Sequence, residues 1–337
     1  MTNYSNLTFE GIIDSISSKY KFSKLLFHFT DISNAVIILN QQKLLSRTLV
    51  NSLDILQNDN ASSTMIKETP TLIKDYVRLY FRPKTPTQYN NEGIKHNTKQ
   101  EPYCSYPDAH CPIPIFFVFK SAEILSQSNT FFTKKGAYVT QDNELMSTPE
   151  EFASLPFEKI YHAEYFPTHL SYEEKTSIIK HRHAEVLVLN EMNLDYLVAI
   201  VCRSYPEKTY LLKLLNDVNP VLAEQYEPLI KVEAQRHNFF YKERSYLKDV
   251  IFNDKSLKII LNEHKHAIEP DVYVRVTGTR NDEVYHYPVD HSLNLINTEI
   301  LFNLDFMKVY DPYRFEIYIN GIKTYDEEYT FEIDLPF

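Results

Sequence analysis

The sequence is short of the residues that mark several common kinds of site. Only 5 of its 337 residues are Gly, and neither G-x-G-x-x-G nor G-x-x-x-x-G-K-[S/T] occurs, so no glycine-rich phosphate loop is predicted. Three Cys do not make a disulfide framework. The N-terminus lacks a signal-peptide pattern, and no apolar run approaches the roughly 18 residues of a membrane span. These absences favour a cytoplasmic protein without membrane contact.

Aromatic residues and acidic charge are abundant instead. The chain has 25 Tyr and 21 Phe but no Trp, with 43% hydrophobic and 24% charged residues overall. The formal net charge of −10 argues against a protein that coats nucleic acid, because non-specific affinity for phosphates depends on Lys and Arg. It leaves room for an enzyme that meets nucleic acid through one local basic face.

The pattern of elements changes at about residue 240. Residues 1–240 mix helical stripes with strand-like runs such as "KLLFHFT", "YVRLYF" and "EVLVL". Residues 51–75 are polar and unpatterned and predict a long surface loop, while "FFTKKGAYVT" predicts a strand pair turning at Gly136. Residues 241–337 contain short alternating strands with turn signals between them, which predicts a small all-β, sandwich-like domain.

Glu185 is the most unusual polar residue of these strands. It stands immediately before the apolar run "VLV", and a carboxylate at that point must be solvated, paired or used. His28 lies inside an apolar strand, Tyr80 lies in a second strand and Tyr89 follows a proline-rich turn. Taken singly, each of these is more commonly a core residue than a functional one.

Two groups of possible metal ligands carry less weight. Cys104 and Cys111 are seven apart with His110 beside them, whereas structural zinc sites usually show two close ligand pairs. His181 and His183 alternate, so on a strand they would share one face, although a polar strand entrance is the commoner explanation. No metal site is predicted.

Four blocks of sequence, spread over about residues 22–220, give these residues a common interpretation. The blocks are "LFHFTDISNAVIILNQQKLLSRTLV", "DYVRLYFRPKTPTQY", "PIFFVFKSAEILSQSNTFFTKKGAYV" and "HRHAEVLVLNEMNLDYLVAIVCRS". In this order and spacing they resemble the DarT-type DNA ADP-ribosyltransferase toxins. The resemblance implies an α+β ADP-ribosyltransferase fold for residues 1–240, with a split mixed β core and surrounding helices.

The resemblance also implies a reaction and a set of site residues. NAD would be the co-substrate, and Glu185 would be the catalytic carboxylate. The cofactor-binding residues implied by matching position are His28, Thr30, Asn34, Tyr80 and Tyr89. Breaking the nicotinamide–ribose bond develops positive charge on the ribose, which a fixed carboxylate stabilises more in the transition state than in the ground state. The enzyme would modify a nucleobase in single-stranded DNA or RNA, as a toxin or phage-defence effector restrained by an antitoxin protein.

The part of the sequence that is expected to bind the acceptor base departs from the family pattern. DarT enzymes that act on thymidine carry an Arg-rich stretch before "DYV", whereas residues 51–75 here contain no Arg. The modified base, and the choice between DNA and RNA, therefore stay open. The cations expected to line a nucleic-acid rim are Arg47, Arg78, Arg82, Lys84 and Arg182. The alternatives are an ADP-ribosyltransferase that acts on RNA or protein, and a catalytically inactive module that binds NAD or nucleic acid.

Overall fold

The computed structural model describes residues 7–95, 108–139, 144–162, 165–234, 238–253, 256–262, 270–280, 283–288, 299–308 and 311–330. Within them, the α-helices are α1 (Phe9–Ser17), α2 (Ile32–Gln41), α3 (Arg47–Leu53), α4 (Ser63–Glu68), α5 (Pro86–Asn91), α6 (Ser121–Leu125), α7 (Pro149–Ala153), α8 (Phe157–Ile160), α9 (Tyr172–His181), α10 (Tyr205–Val218) and α11 (Pro220–Tyr226). The strands are β1 (Leu25–Asp31), β2 (Lys43–Leu45), β3 (Tyr76–Tyr80), β4 (Pro114–Lys120), β5 (Thr130–Phe132), β6 (Glu185–Leu189), β7 (Glu191–Asn193), β8 (Leu197–Cys202), β9 (Ile230–Val232), β10 (Leu247–Asn253), β11 (Ser256–Leu261), β12 (Val272–Gly278), β13 (Val284–Pro288), β14 (Glu299–Asn303), β15 (Pro312–Ile319) and β16 (Ile322–Thr330).

Polar side chains in the sequence determine where several helices begin. The Ser33 amide donates to the Asp31 carboxylate at 3.1 Å, which starts α2 directly after β1. Thr148 and Glu151 form a capping box at the start of α7. These caps fix the points at which the chain leaves the central sheet and covers it.

A second capping box determines where His181 and His183 lie. Ser171 and Glu174 cap α9, which continues to His181. His183 lies in the turn that follows, and β6 begins only at Glu185. His181 and His183 therefore do not share a strand face, because the helix started by Ser171 extends through the first of them.

The central sheet has seven strands in the order β5-β6-β3-β1-β4-β8-β9. Neighbouring strands are antiparallel except for the parallel pair of β8 and β9, so the sheet is mixed. Between β1 and β3 the pairing is a single residue pair, Phe27 with Tyr80. The two halves of the sheet therefore separate beside this pair, as the predicted split β core requires.

The two faces of the sheet are covered differently. One face packs against α1, α2 and α10 and forms the largest apolar core, with Leu26, Leu79 and Val186 fully buried. The other face carries an aromatic cluster in which Phe239 packs on Phe27 at 5.7 Å between ring centroids. The chain after β9 therefore returns to cover the face that holds the end of β3.

Strands β10–β16, here called the β unit, form two further sheets. Their strand orders are β10-β11-β14 and β13-β12-β15-β16. Along β12, Val272, Val274 and Val276 are buried while the residues between them are half-buried, which is the alternation of a sheet with one face in a core. The β-rich C-terminal part predicted from the sequence is confirmed. It contacts the central region through α10, which packs against β10 and β16.

Two local predictions differ from the structure. Residues 51–75 are not one loop, because α4 and a 3-10 turn at Leu72–Asp75 lie within them and α3 ends there. After β5, the chain forms a 3-10 turn at Ala137–Val139 instead of a second strand. No helix among the described residues has the length and apolarity needed to cross a membrane.

Candidate active site

The end of the split sheet gathers three polar side chains on one face. Glu185, the first residue of β6, lies opposite Tyr80, the last residue of β3. Arg78 shares the face of Tyr80, because side chains alternate along a strand. A carboxylate, a guanidinium and a phenol therefore meet where β1 and β3 separate.

The Glu185 carboxylate is paired and almost completely buried. Arg78 donates to it from Nη2 at 2.6 Å and from Nε at 3.1 Å, and the Ala137 amide donates at 3.3 Å. The Glu185 side chain is 1% exposed and that of Arg78 is 35% exposed. Burial is the largest single influence on the Arg78 pKa and lowers it, but the attraction of Glu185 and Tyr80 raises the pKa overall. The sequence left open whether the Glu185 carboxylate is solvated, paired or used in function. In the structure it is paired with Arg78.

A tight turn brings the Ala137 amide to this carboxylate. The Thr133 amide donates to the Glu185 carbonyl at 2.9 Å, and the Glu185 amide donates to the Thr133 hydroxyl at 3.1 Å. Gly136 allows the close approach, because a Cβ there would lie 2.6 Å from the Tyr138 ring. The turn at Gly136 thus holds the Ala137 amide against the Glu185 carboxylate.

His28 bridges the opening of the sheet. Its Nδ1 lies 3.1 Å from the Arg78 carbonyl oxygen, so Nδ1 carries the proton and donates across the gap. Burial lowers the pKa of His28, which keeps the ring neutral at pH 7. The Nε2 atom of this tautomer is then a hydrogen-bond acceptor, and His28 lines the cavity described below.

Three residues continue the site beyond Tyr80. Burial first, and then the charge of Glu185, raise the pKa of Tyr80 to about 12, while Thr87 lies beside its hydroxyl. The Thr87 hydroxyl is 3.4 Å from Nδ1 of His183. Burial, helped by the charge of Arg78, lowers the pKa of His183 to about 4. Thr87, Tyr138 and His183 all line the cavity, and sequence reasoning assigned none of them to the site.

A cavity of about 550 Å³ opens beside these groups. His28, Thr30, Arg78 and Tyr80 line it on the side of the sheet. Residues of α2, α3, α4 and the chain between α3 and α4 also line it. Glu185 is not among the lining residues, whereas its partner Arg78 is. The cavity therefore borders the Arg78 guanidinium and not the Glu185 carboxylate that the guanidinium holds.

Asn34 fixes the far wall of this cavity. Its side-chain oxygen accepts from the Gln57 and Asn58 amides at 3.1 and 3.3 Å, and its nitrogen donates to the Asn58 carbonyl at 2.7 Å. Arg47 holds the same segment by a two-pronged ion pair with Asp59 at 2.7 and 2.8 Å. The segment that the sequence presents as a surface loop is therefore anchored over the cavity.

Comparison with known proteins decides the family. The family model described as "DarT: ssDNA thymidine ADP-ribosyltransferase, DarT" matches residues 27–241. The chain belongs to the DarT family. It is accordingly an NAD-dependent ADP-ribosyltransferase that modifies a nucleobase in single-stranded DNA. The β unit lies beyond the matched residues.

Solved structures of similar proteins are distant in sequence. DarT of Thermus sp. 2.9 in complex with ADP-ribosylated ssDNA is 19% identical, with a TM-score of 0.45, 65% of this chain covered and 96% of that chain covered. The same protein in complex with carba-NAD+ is 20% identical, with a TM-score of 0.45 and coverages of 65% and 98%. DarTG of Thermosipho africanus in complex with ADP-ribose is 16% identical, with a TM-score of 0.44 and coverages of 68% and 53%. Among curated proteins, no relative matches the chain.

The cations predicted to line a nucleic-acid rim of this DarT-family enzyme do not lie together on its surface. Arg82, Lys84 and Arg182 are each 6–7% exposed. Arg82 donates to the Ile160 carbonyl, Lys84 to the Asn238 side chain at 2.8 Å, and Arg182 stacks on the Phe166 ring at 4.6 Å. Arg47 and Arg78 line the cavity within ion pairs. The nucleic-acid role of these five residues stays a prediction, and their geometry does not supply an exposed basic rim.

Tyr89 lies apart from the other predicted NAD-binding residues. It is 41% exposed, is absent from the residues that line the cavity, and contacts the Tyr241 ring edge-on at 5.1 Å. Thr30, in contrast, is 4% exposed and lines the cavity together with His28 and Asn34. The structure therefore brings four of the five predicted NAD-binding residues to one cavity.

The possible metal ligands do not form a site in the part of the chain that is described. Cys104 lies outside the described residues, and among those described no group of three or more His, Cys, Asp or Glu side chains could hold a metal ion. Cys111 is fully buried, and burial raises the pKa of its thiol well above the usual value. A thiol held protonated is a poor zinc ligand, since zinc binds the thiolate.

Proposed function

We propose that the chain transfers ADP-ribose from NAD to thymidine in single-stranded DNA, with Glu185 as the catalytic carboxylate. One observation carries this proposal. Glu185 is held by Arg78 and by a backbone amide at the point where the split sheet opens onto the cavity. A buried carboxylate that is oriented by a guanidinium lining the cavity is suited to stabilise charge that appears only during the reaction.

The cavity fits the proposed co-substrate in size and chemistry. A cavity of about 550 Å³ is in the range of ligand sites in proteins. Neutral His28 presents an acceptor, Thr30 a hydroxyl, and Tyr80 an aromatic face to a cationic nicotinamide ring. We assign the binding of NAD to these residues, with Asn34 holding the opposite wall in place. NAD supplies the ADP-ribosyl group, and nicotinamide leaves from it.

Arg78 and Glu185 have different roles at the ribose carbon that reacts. Glu185 stabilises the positive charge that develops on the ribose as the bond to nicotinamide breaks. Arg78 keeps both carboxylate oxygens oriented before the reaction, which removes the cost of reorganising them during it. Glu185 also accepts the proton that the attacking base nitrogen loses as the new bond to the ribose forms.

We further propose that the chain acts in the cytoplasm as a toxin or phage-defence effector that an antitoxin protein restrains. An ADP-ribosyl group on a template base adds bulk and two phosphate charges where base pairing must occur. Such a lesion would stop replication, so a cell that makes the enzyme needs a means of restraint. We also propose that residues 1–240 and 241–337 are two domains, of which the first carries the reaction.

Labelled NAD and a choice of acceptors test the substrate. The wild-type protein is incubated with a thymidine-containing DNA oligonucleotide, with the matching uridine-containing RNA, and with total protein. We expect label only on the DNA. Label on RNA or on protein alone would establish the corresponding rival activity, and the absence of both transfer and NAD cleavage would favour an inactive binding module.

A further inference from the structure

The cavity wall formed by α5 continues into the core of the β unit. Thr87 and Asn91, both in α5, line the cavity. Ile94, which follows shortly after, is 3% exposed and belongs to the apolar core of the β unit together with Leu247 and Ile259. Residues 84–95, here called the α5 segment, thus contribute to both regions of the molecule.

Gly93 is the point at which the α5 segment passes from one region to the other. Its φ of +92° belongs to the left-handed region that glycine adopts without strain. A Cβ at this position would lie 2.8 Å from Cβ of Arg244. Arg244 donates to the Glu92 carbonyl at 2.6 Å, which accounts for the close approach. The α5 segment is therefore pressed against the chain that leads into β10.

That chain, residues 238–246, is called the connecting segment below. Glu92 ties the α5 segment to it through a carboxylate that is 3% exposed. The carboxylate accepts from Nε2 of Gln88 at 2.6 Å and from the Tyr241 and Lys242 amides at 3.0 and 2.8 Å. A buried carboxylate with three donors is a strong anchor, since hydrogen bonds to charged groups exceed neutral ones.

Further contacts hold the beginning of the α5 segment to the connecting segment. Nζ of Lys84 donates to the Asn238 side chain at 2.8 Å, and the Tyr241 hydroxyl donates to the Lys84 carbonyl at 2.8 Å. Nε2 of Gln88 also donates to the Phe239 carbonyl at 2.9 Å. The position of α5 is thus set from outside the central sheet, by the chain that carries the β unit.

We propose that the β unit and the connecting segment together are a positioning element of the active site, which acts on the α5 wall through Ile94 in the core of the β unit and through Glu92 at the connecting segment. Thr87 of α5 lies beside the Tyr80 hydroxyl and within 3.4 Å of His183. A substitution that shifts α5 therefore moves the groups around Glu185, even when the substituted residue does not itself line the cavity. Misplacement of catalytic groups by about 1 Å can lower a rate by about 100-fold.

Two substitutions of the same type in the same core separate positioning from stability. Ile94→Ala and Ile259→Ala both truncate a buried isoleucine of the β unit, but only Ile94 belongs to the α5 segment. Each full-length variant is assayed below its unfolding transition for kcat and KM, with labelled NAD and a thymidine-containing oligonucleotide. Hydrogen–deuterium exchange is followed at the amides of residues 87–92.

We expect Ile94→Ala to lower kcat about tenfold or more, with KM for NAD changed less than about twofold, and to speed exchange at the amides of residues 87–92. Ile259→Ala should leave kcat and that exchange at wild-type values. Equal behaviour of the two variants would overturn the proposal.

Glu92→Gln provides a second variant, in which the shape of the side chain is unchanged. Its amide nitrogen would face the Tyr241 or Lys242 amide, which is also a donor, so a hydrogen bond of the anchor is lost. It should reproduce the Ile94→Ala pattern, and wild-type exchange and kcat in this variant would contradict the proposal. The activity readout rests on the proposed function, whereas the exchange readout does not. A wild-type protein without transferase activity would therefore refute that function while the exchange comparison still decides the role of the β unit.

Discussion

The central region and the β unit differ in how completely their ion pairs are buried. In the central region, Glu185 is 1% exposed at the cavity, and Arg203 and Glu207 form a pair whose side chains are 1% and 3% exposed. In the β unit, the partners of buried Asp326 are Arg314 and Lys323, which are 43% and 30% exposed. Each of these pairs in the β unit keeps one partner in contact with water, as the Arg78–Glu185 pair does, whereas both partners of the Arg203–Glu207 pair are buried.

This difference follows from what each region must do. Burying a charge costs several kcal/mol and is recovered only with complete pairing, so a region whose task is to fold gains little from it. The central region accepts that cost where a carboxylate must be oriented at a cleft. The comparison predicts that equivalent substitutions will have large effects at Glu185 and small ones in the β unit.

The largest expected effect comes from Glu185→Gln. The amide keeps the shape of the side chain but removes the charge that faces the developing ribose cation. Single-turnover transfer to the oligonucleotide should fall on the order of 10²–10³-fold. A rate within about threefold of wild type would remove Glu185 from the mechanism.

Arg78→Met leaves the buried Glu185 carboxylate with the Ala137 amide as its remaining donor among those described above. Unfolding in denaturant should show a loss of about 3 kcal/mol, because removing one partner of a buried pair strands the other charge. The double variant Arg78→Met, Glu185→Leu should regain most of this stability and stay inactive. Recovery of activity in the double variant would contradict the catalytic assignment.

The pH dependence of stability should reflect His183. Its pKa is lowered to about 4 in the folded protein, below its usual value near 6.5. As the pH falls from 6.5 to 4, the unfolded chain binds a proton that the folded chain resists, so the free energy of unfolding decreases. Below about pH 4 the loss is complete. His183→Asn should remove a decrease on the order of 2 kcal/mol, measured as the difference between the two stability–pH curves.

Asn34→Ala tests the opposite wall of the cavity. It removes the two acceptor contacts and the one donor contact that hold residues 57 and 58. We expect stability to fall by about 1–2 kcal/mol and KM for NAD to rise more than kcat falls. An unchanged KM would show that this wall does not contact the co-substrate.

The smallest effect is expected at Lys323 of the β unit. Lys323→Met removes a cation beside Glu316 and Asp326, as Arg78→Met does beside Glu185, but Arg314 still pairs with Asp326. The cost should be about 0.5–1 kcal/mol, with transferase activity unchanged. A loss equal to that of Arg78→Met would erase the contrast between the two regions.

Local sequence patterns predicted the strands that carry the site better than the contacts within it. β1, β3 and β6 and the positions of His28, Tyr80 and Glu185 follow from apolar runs and alternation. The Arg78–Glu185 pair joins residues that are 107 apart in sequence, so only the pairing of β3 with β6 reveals it.

Two other features were hidden for related reasons. Residues 51–75 show no helical stripe, and residues 57–59 between α3 and α4 are held by Asn34 and by the Arg47–Asp59 pair rather than by an apolar face. Thr87 has no sequence signal of its own, since its place at the cavity depends on the contacts of α5 with residues after 237.

The mass of a single-stranded DNA oligonucleotide that contains one thymidine, measured after incubation with NAD, tests the central claim most directly. The wild-type protein should add one ADP-ribosyl group, and an oligonucleotide in which cytidine replaces that thymidine should stay unmodified. The Glu185→Gln protein, folded by circular dichroism, should add none at the same time point. An adduct of the same yield from both proteins would contradict the account, because Glu185 would then be a structural residue and the reaction would depend on other groups.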